Sequence, residues 1–250
     1  RSGRQSVAKP NWRRCSAQSS GKVWVSFTEP TPLPGVTERR VLFEPGLDVD
    51  VIPLAVTAVE RMQEEGLPPL LIDLVGRGVT VLLDKDRKLG QLTGAVRPLA
   101  TVAPPPPSTG EFSNMVEDFL FHTVWTAKRL RRGDLWSGKY CCDVYLKDLL
   151  RRMLEWHARA SGTPHTDTWI GGRFLKEWAD PRAVKKLSGC FARYDAEDVW
   201  QALLATTDLF LMLADETAGR LGYERPEERA RKTGSYVKTL YQDRNTAPGE

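Results

Sequence analysis

Histidine is scarce in this 250-residue chain, cysteine is nearly so, and long apolar runs are missing. His122, His157 and His165 form no H-E-x-x-H motif or other close pair, which excludes the familiar metalloprotease and zinc-deaminase frameworks. The four cysteines, Cys15, Cys141, Cys142 and Cys190, show no C-x-x-C spacing, so a zinc site has no scaffold. Adjacent Cys141 and Cys142 are badly placed to bridge each other, and reduced thiols in a cytoplasmic protein are expected. No apolar stretch nears the ~20 residues that a membrane-spanning helix requires. The start, Arg1-Ser2-Gly3-Arg4, lacks the apolar region of a secretion signal. Walker-type loops, G-x-G-x-x-G and G-x-S-x-G are all missing.

Charge is unevenly spread. Residues 1–22 carry six cations (Arg1, Arg4, Lys9, Arg13, Arg14, Lys22) and no acid; with +4 overall, residues 23–250 carry −2. The basic character therefore belongs to a Ser/Arg-rich tail, 1–21, expected to be disordered or outside the fold. Six charges in a tail are a thin basis for nucleic-acid binding, and nucleic acid is not expected as a partner.

Residues 22–103 read as a small α/β region. Lys22–Phe27 alternates like a strand, Arg40–Phe43 forms a second, Leu47–Ile52 a third and Gly78–Leu83 a fourth. Short helices are predicted at Val56–Glu64 and Leu70–Val75. Four consecutive prolines, Pro104 to Pro107, forbid helix and sheet and predict a stiff linker over 104–110. Residues 111–241 read as helix throughout, with 242–250 as a tail. Phe112, Val116, Phe119, Val124, Ala127 and Leu130 give the apolar face of a first helix stopped at Arg131-Arg132-Gly133. A second helix is predicted from about Asp134 to Ala160, faced by Leu135, Cys142, Leu146, Leu149, Leu150, Met153 and Trp156. Short segments follow at Arg173–Trp178 and Pro181–Leu187, then a long helix capped by Asp195 and ended near Gly222, then Glu227–Tyr241. The tryptophans 125, 136, 156, 169, 178 and 200 are expected mostly in the core. The expected class is α+β: a small α/β domain followed by an all-α bundle.

The chemistry-bearing pattern is Leu47-Asp48-Val49-Asp50-Val51. Two carboxylates one pleat apart share a strand face and repel unless exposed or neutralised. They suit either a wet sheet face or a Mg²⁺ site completed by substrate phosphates. Asp84-Lys85-Asp86 reads as turn chemistry. His122 and His157 read as satisfied structural histidines.

The stretch Val116-Glu117-Asp118-Phe119-Leu120-Phe121-His122-Thr123-Val124-Trp125-Thr126-Ala127-Lys128-Arg129-Leu130 with Arg132-Gly133-Asp134-Leu135-Trp136 resembles the helical domain of the streptomycin, or aminoglycoside 6-, adenylyltransferases. The likeness continues at Met153–His157, Gly172–Leu175, Phe191–Asp195 and Asp208–Phe210, with Val81–Asp86 upstream, covering about residues 22–241. The resemblance implies transfer of AMP from ATP, with Mg²⁺, to a hydroxyl of streptomycin or another aminoglycoside, releasing pyrophosphate and conferring antibiotic resistance. It implies an incomplete nucleotidyltransferase-type α/β domain in which Asp50 is a catalytic residue and metal ligand, completing the Mg²⁺ site and helping to orient or activate the attacking hydroxyl, with Asp48 as the alternate registration. Lys128 would meet the ATP phosphates, and Lys139 would line the cleft. Asp118, where the family tends to have Glu, would receive an ammonium group of the antibiotic or serve as base. Lys139, Asp143 and Lys147, spaced i, i+4, i+8, also read as mutual ion pairs. The family's Gly-Ser with a downstream Asp-x-Asp does not precede Asp50. A truncated or degenerate, non-catalytic relative that binds a cationic small molecule is therefore the alternative.

Overall fold

The computed structural model describes residues 21–90, 105–162, 167–169 and 171–245. The basic tail, Cys15, His165 and Pro104 lie outside them. The chain divides into two compact units, Arg1–Leu99 and Ala100–Glu250.

In the first unit, β1 (Val23–Pro30), β2 (Thr37–Phe43) and β3 (Leu47–Val51) form an antiparallel meander in the order β1-β2-β3. The β1–β2 connection closes on itself: the Thr31 amide donates to the Val36 carbonyl at 3.0 Å, the Val36 amide donates to the Leu33 carbonyl at 3.1 Å, and Gly35 takes φ +73°. Glu44-Pro45-Gly46 turns β2 into β3, with the Gly46 amide donating to the Phe43 carbonyl at 2.7 Å. Val41 and Phe43 point to the buried face. Arg40 faces Asp50 and Leu42 faces Asp48 on the opposite one, as strand alternation demands. Helices α1 (Val56–Glu65) and α2 (Pro69–Gly76) follow, the second started by a proline at its first turn.

The predicted fourth strand does not form. Residues 78–84 are irregular, and Leu82 and Leu83 stand 92% and 68% exposed. Alternation supplies a strand's pattern but not its partner, and among the described residues no strand pairs with this one. Asp84 instead caps the next turn, accepting from the Lys88 and Leu89 amides at 3.0 Å.

The second unit begins with α3 (Thr109–Arg131), two residues inside the expected linker. Ser108 and Glu111 explain the start: each side chain accepts from the other's backbone amide, a full capping box. Gly133 at φ +76° ends that helix, and Asp134 caps α4 (Leu135–Tyr140). The single helix expected over 134–160 is interrupted by a π turn, Cys141–Tyr145, before α5 (Leu146–Ala160). The four-residue α6 (Leu175–Trp178) and α7 (Pro181–Leu187) lead to α8 (Ala196–Leu221), capped by Asp195 and closed by Gly222 in the left-handed region. α9 (Glu227–Gln242) completes the unit.

The core lies among α3, α5 and α8. Phe119 and Phe210 are fully buried and stack with centroids 3.6 Å apart and planes within 1°. Gly138 lets α4 approach α3, since a Cβ there would lie 2.6 Å from a Leu130 methyl. Trp200 is buried and Trp125, Trp156 and Trp178 pack partly against the core. Trp136 departs from expectation: it is 71% exposed and meets Tyr194 edge-on at the surface. Cys141, Cys142 and Cys190 are free and buried; burial pushes the Cys142 thiol up to about 11, so it stays protonated and inert near neutrality.

Candidate functional site

On the α/β unit, Asp48 and Asp50 are exposed on one face of β3. Arg40 organises the surroundings of Asp50: its guanidinium lies 2.6 Å from Glu29, 2.9 Å from Glu38 and 3.6 Å from Asp50. One cation thus answers three acids that strand register brings to one face. A hydrogen bond from Glu29 to Glu38 raises the Glu29 pKa, while bonds from Arg40 and Glu29 lower that of Glu38. Asp50 keeps 53% of its side chain in solvent, leaving oxygen lone pairs open to an incoming ligand.

On the helical unit, Asp118 sits mid-way along α3 with 29% of its side chain exposed. One turn on, His122 turns back so that Nδ1 lies 2.7 Å from Asp118 Oδ1 and 3.0 Å from the Asp118 carbonyl. Tyr145, the last residue of the π turn, donates its hydroxyl to both carboxylate oxygens at 3.0 and 2.9 Å. Its ring packs on the His122 imidazole with centroids 4.3 Å apart. Desolvation, then the bond to Asp118, raises the Tyr145 pKa, so the phenol stays a donor. The sequence singled out Asp118 but not its two companions. The i, i+4 spacing of Asp118 and His122 was a readable signal; the arrival of Tyr145 depends on the π turn, which shifts the helical phase where it occurs.

Lys128 is exposed, its ammonium 5.8 Å from the Tyr236 ring centre. Lys139 is engaged: its Nζ bonds the Asp143 carboxylate and the Ala192 carbonyl. Lys147, largely buried, turns inward to the Cys142 carbonyl at 2.9 Å and the Thr206 hydroxyl at 2.8 Å, 4.0 Å from Asp143. Of the predicted i, i+4, i+8 pairing, the first contact is tight and the second loose.

A further grouping was not foreseen. His157 is 2% exposed, with Nε2 at 2.8 Å from Glu216 and 3.0 Å from Arg220; Asp180 completes the only cluster among the described residues with three metal-capable side chains. Arg182 spans Asp180 at 2.7 Å and Glu216 at 2.9 Å. Two guanidiniums already balance two carboxylates, so the cluster is a latch tying α5, α7 and α8. Burial opposes the Glu216 carboxylate, but bonds from His157 and Arg182 outweigh it and lower its pKa. The Arg182 bond holds Asp180 at about 2, against an ordinary 3.8. A depressed carboxylate pKa contributes stability that is full above the ordinary pKa and is lost as pH falls through the folded one. Urea melts should therefore show this contribution fading between pH 4 and about 2 in the native chain and missing in Asp180→Ala. Asp180 also caps α7 through the Arg182 amide at 2.7 Å, so Asp180→Ala is expected to cost about 1–2 kcal/mol at pH 7.

A carboxylate-bearing antiparallel sheet followed by an all-α bundle defines an α+β protein. The family model described as streptomycin adenylyltransferase matches residues 28–240, and the chain belongs to that family. Among solved structures, the crystal structure of an aminoglycoside 6-adenyltransferase from Bacillus subtilis is similar at 17% identity, covering 93% of this chain and 82% of that one, with a TM-score of 0.47. A search of curated proteins gives no match. Among the described residues, no helix is long and apolar enough to cross a membrane.

Proposed function

We propose that this chain transfers AMP from MgATP to a hydroxyl of streptomycin or a related aminoglycoside, in the cytoplasm, with release of pyrophosphate. Membership of the streptomycin adenylyltransferase family over residues 28–240 carries this reading. In it, residues 22–103 hold the nucleotide, 104–110 link, and 111–241 bind the acceptor, with 1–21 and 242–250 as tails. Asp50, with Asp48 as second donor, suits Mg²⁺: both are exposed hard-oxygen donors one pleat apart, and Mg²⁺ is commonly held by one or two carboxylates plus substrate phosphates. Bound there, Mg²⁺ would neutralise triphosphate charge and polarise the reacting phosphoryl group. Arg40 sets a positive charge 3.6 Å from the Asp50 carboxylate, beside two further acids. Lys128 is exposed and able to meet a phosphate as a point charge; Lys139 joins nucleotide binding only by exchanging its bonds to Asp143 and Ala192. Asp118 would serve the acceptor, its charge suiting an ammonium group or a departing hydroxyl proton.

The second reading is a non-catalytic binder of cationic small molecules. Pyrophosphate release from MgATP, measured with streptomycin and a small aminoglycoside panel, separates the two. Release dependent on the aminoglycoside is the expected result. Calorimetric aminoglycoside binding without any release would leave the binder.

A further inference from the structure

We infer that His122 is the proton acceptor for the substrate hydroxyl, oriented by Asp118 and Tyr145. This deepens the adenylyl-transfer reading and rests on it. The imidazole Nδ1 faces two oxygens, the Asp118 carboxylate at 2.7 Å and the Asp118 backbone carbonyl at 3.0 Å. Both only accept, so Nδ1 must carry the ring proton. In the neutral ring the lone pair then lies on Nε2, and among the described residues no group bonds that atom. His122 keeps 30% of its side chain exposed, enough to meet a ligand. Asp118 is differently placed: its oxygens already accept two contacts from the Tyr145 hydroxyl and one from the imidazole. Nucleophile–base–orienter constellations have this form, with the carboxylate fixing the tautomer and answering the imidazolium charge. The rings of Phe121, edge-on at 5.1 Å, and Tyr145, at 4.3 Å, fix the imidazole plane.

The chemical step balances simply. The acceptor oxygen forms a bond to the α-phosphorus of ATP as its proton passes to His122 Nε2. The bond from that phosphorus to the β-bridging oxygen breaks, and pyrophosphate leaves with the electron pair. The imidazolium, paired with the Asp118 carboxylate, then loses its proton to solvent. Asp118 and Tyr145 are positioning residues in this scheme.

Nitrogen-15 NMR of histidine-labelled full-length chain, with His122→Asn to assign the signal, reads the tautomer independently of turnover. The expected result is protonated Nδ1 and bare Nε2; a protonated Nε2 would overturn the inference. In pyrophosphate-release assays, His122→Asn keeps a side-chain donor for Asp118 but offers nothing at Nε2. Its kcat should fall about 100- to 1,000-fold with the aminoglycoside KM within about threefold, the range expected for a lost general base. Imidazole should restore part of the rate to His122→Ala. Asp118→Asn should lower kcat and disturb the His122 tautomer together; a pure KM effect with the tautomer intact would instead make Asp118 a cation-binding group and remove His122 from the scheme. An active wild type with His122→Asn at full rate overturns the base alone. A wild type that releases no pyrophosphate overturns the adenylyl-transfer reading, and the catalytic role with it.

Discussion

Phe119→Ala should destabilise the helical unit by about 4 kcal/mol, the largest stability loss expected from a single truncation here. Phe119 is fully enclosed on α3 and lies flat against Phe210 of α8, which is equally enclosed. Truncation removes the transfer free energy of a buried aromatic ring and leaves a cavity that rigid helices fill only partly; it also forfeits an aromatic pair worth about 1 kcal/mol. Met153 and Leu213, both fully buried in the same core, sit on long helices whose backbones are held by their own hydrogen bonds, so collapse into the void is limited. Single domains are stable by only about 5–15 kcal/mol, so the loss is a large fraction of the total. Urea denaturation followed by tryptophan fluorescence should show a much lower midpoint at nearly unchanged slope. Phe119→Leu retains most of the volume and should cost less than half as much. Equal losses in the two variants would mean that the ring stack, and not the filled volume, secures this contact.

The burial of Phe119, though not its partner, was legible in the sequence. Phe119 falls on the apolar stripe with Phe112, Val116, Ala127 and Leu130, and all five are buried. Helix limits were equally readable where local chemistry sets them: Asp195 and Gly222 bracket α8, and Gly133 stops the chain after α3. Reading failed where the outcome depends on distant partners. Gly78–Leu83 has a strand's alternation without a neighbouring strand to bond. The π turn at 141–145 leaves no trace in periodicity, because one extra residue in a turn shifts the helical phase by an amount that a short window hides. That shift carries Tyr145 to Asp118, so the most informative polar contact of the helical unit lay beyond the pattern. Trp136 was assigned inward by residue type, yet α4 is only six residues long and buries little beyond Gly138.

On the proposed function, Asp50→Asn is expected to lower aminoglycoside-dependent pyrophosphate release by about a thousandfold, since withdrawing a carboxylate from a metal-phosphate site would remove several kcal/mol of transition-state stabilisation, about 1.4 kcal/mol for each factor of ten. The fold should hardly notice. Asp50 lies on an exposed strand face, and its 3.6 Å contact with Arg40 is a solvent-accessible pair of the kind that contributes little. Arg40 also retains Glu29 and Glu38, so the guanidinium is not left alone by the substitution. An unchanged melting temperature together with lost turnover therefore points to chemistry and not to folding. Asp48→Asn provides the contrast on the same strand. The two acids share a face, but Asp50 stands opposite Arg40 while Asp48 stands opposite Leu42, in a setting with no cation across the register. A greater loss from Asp50→Asn than from Asp48→Asn would identify Asp50 as the principal ligand, and the reverse order would transfer that role one pleat along. Full activity in both variants would remove the β3 carboxylates from the reaction.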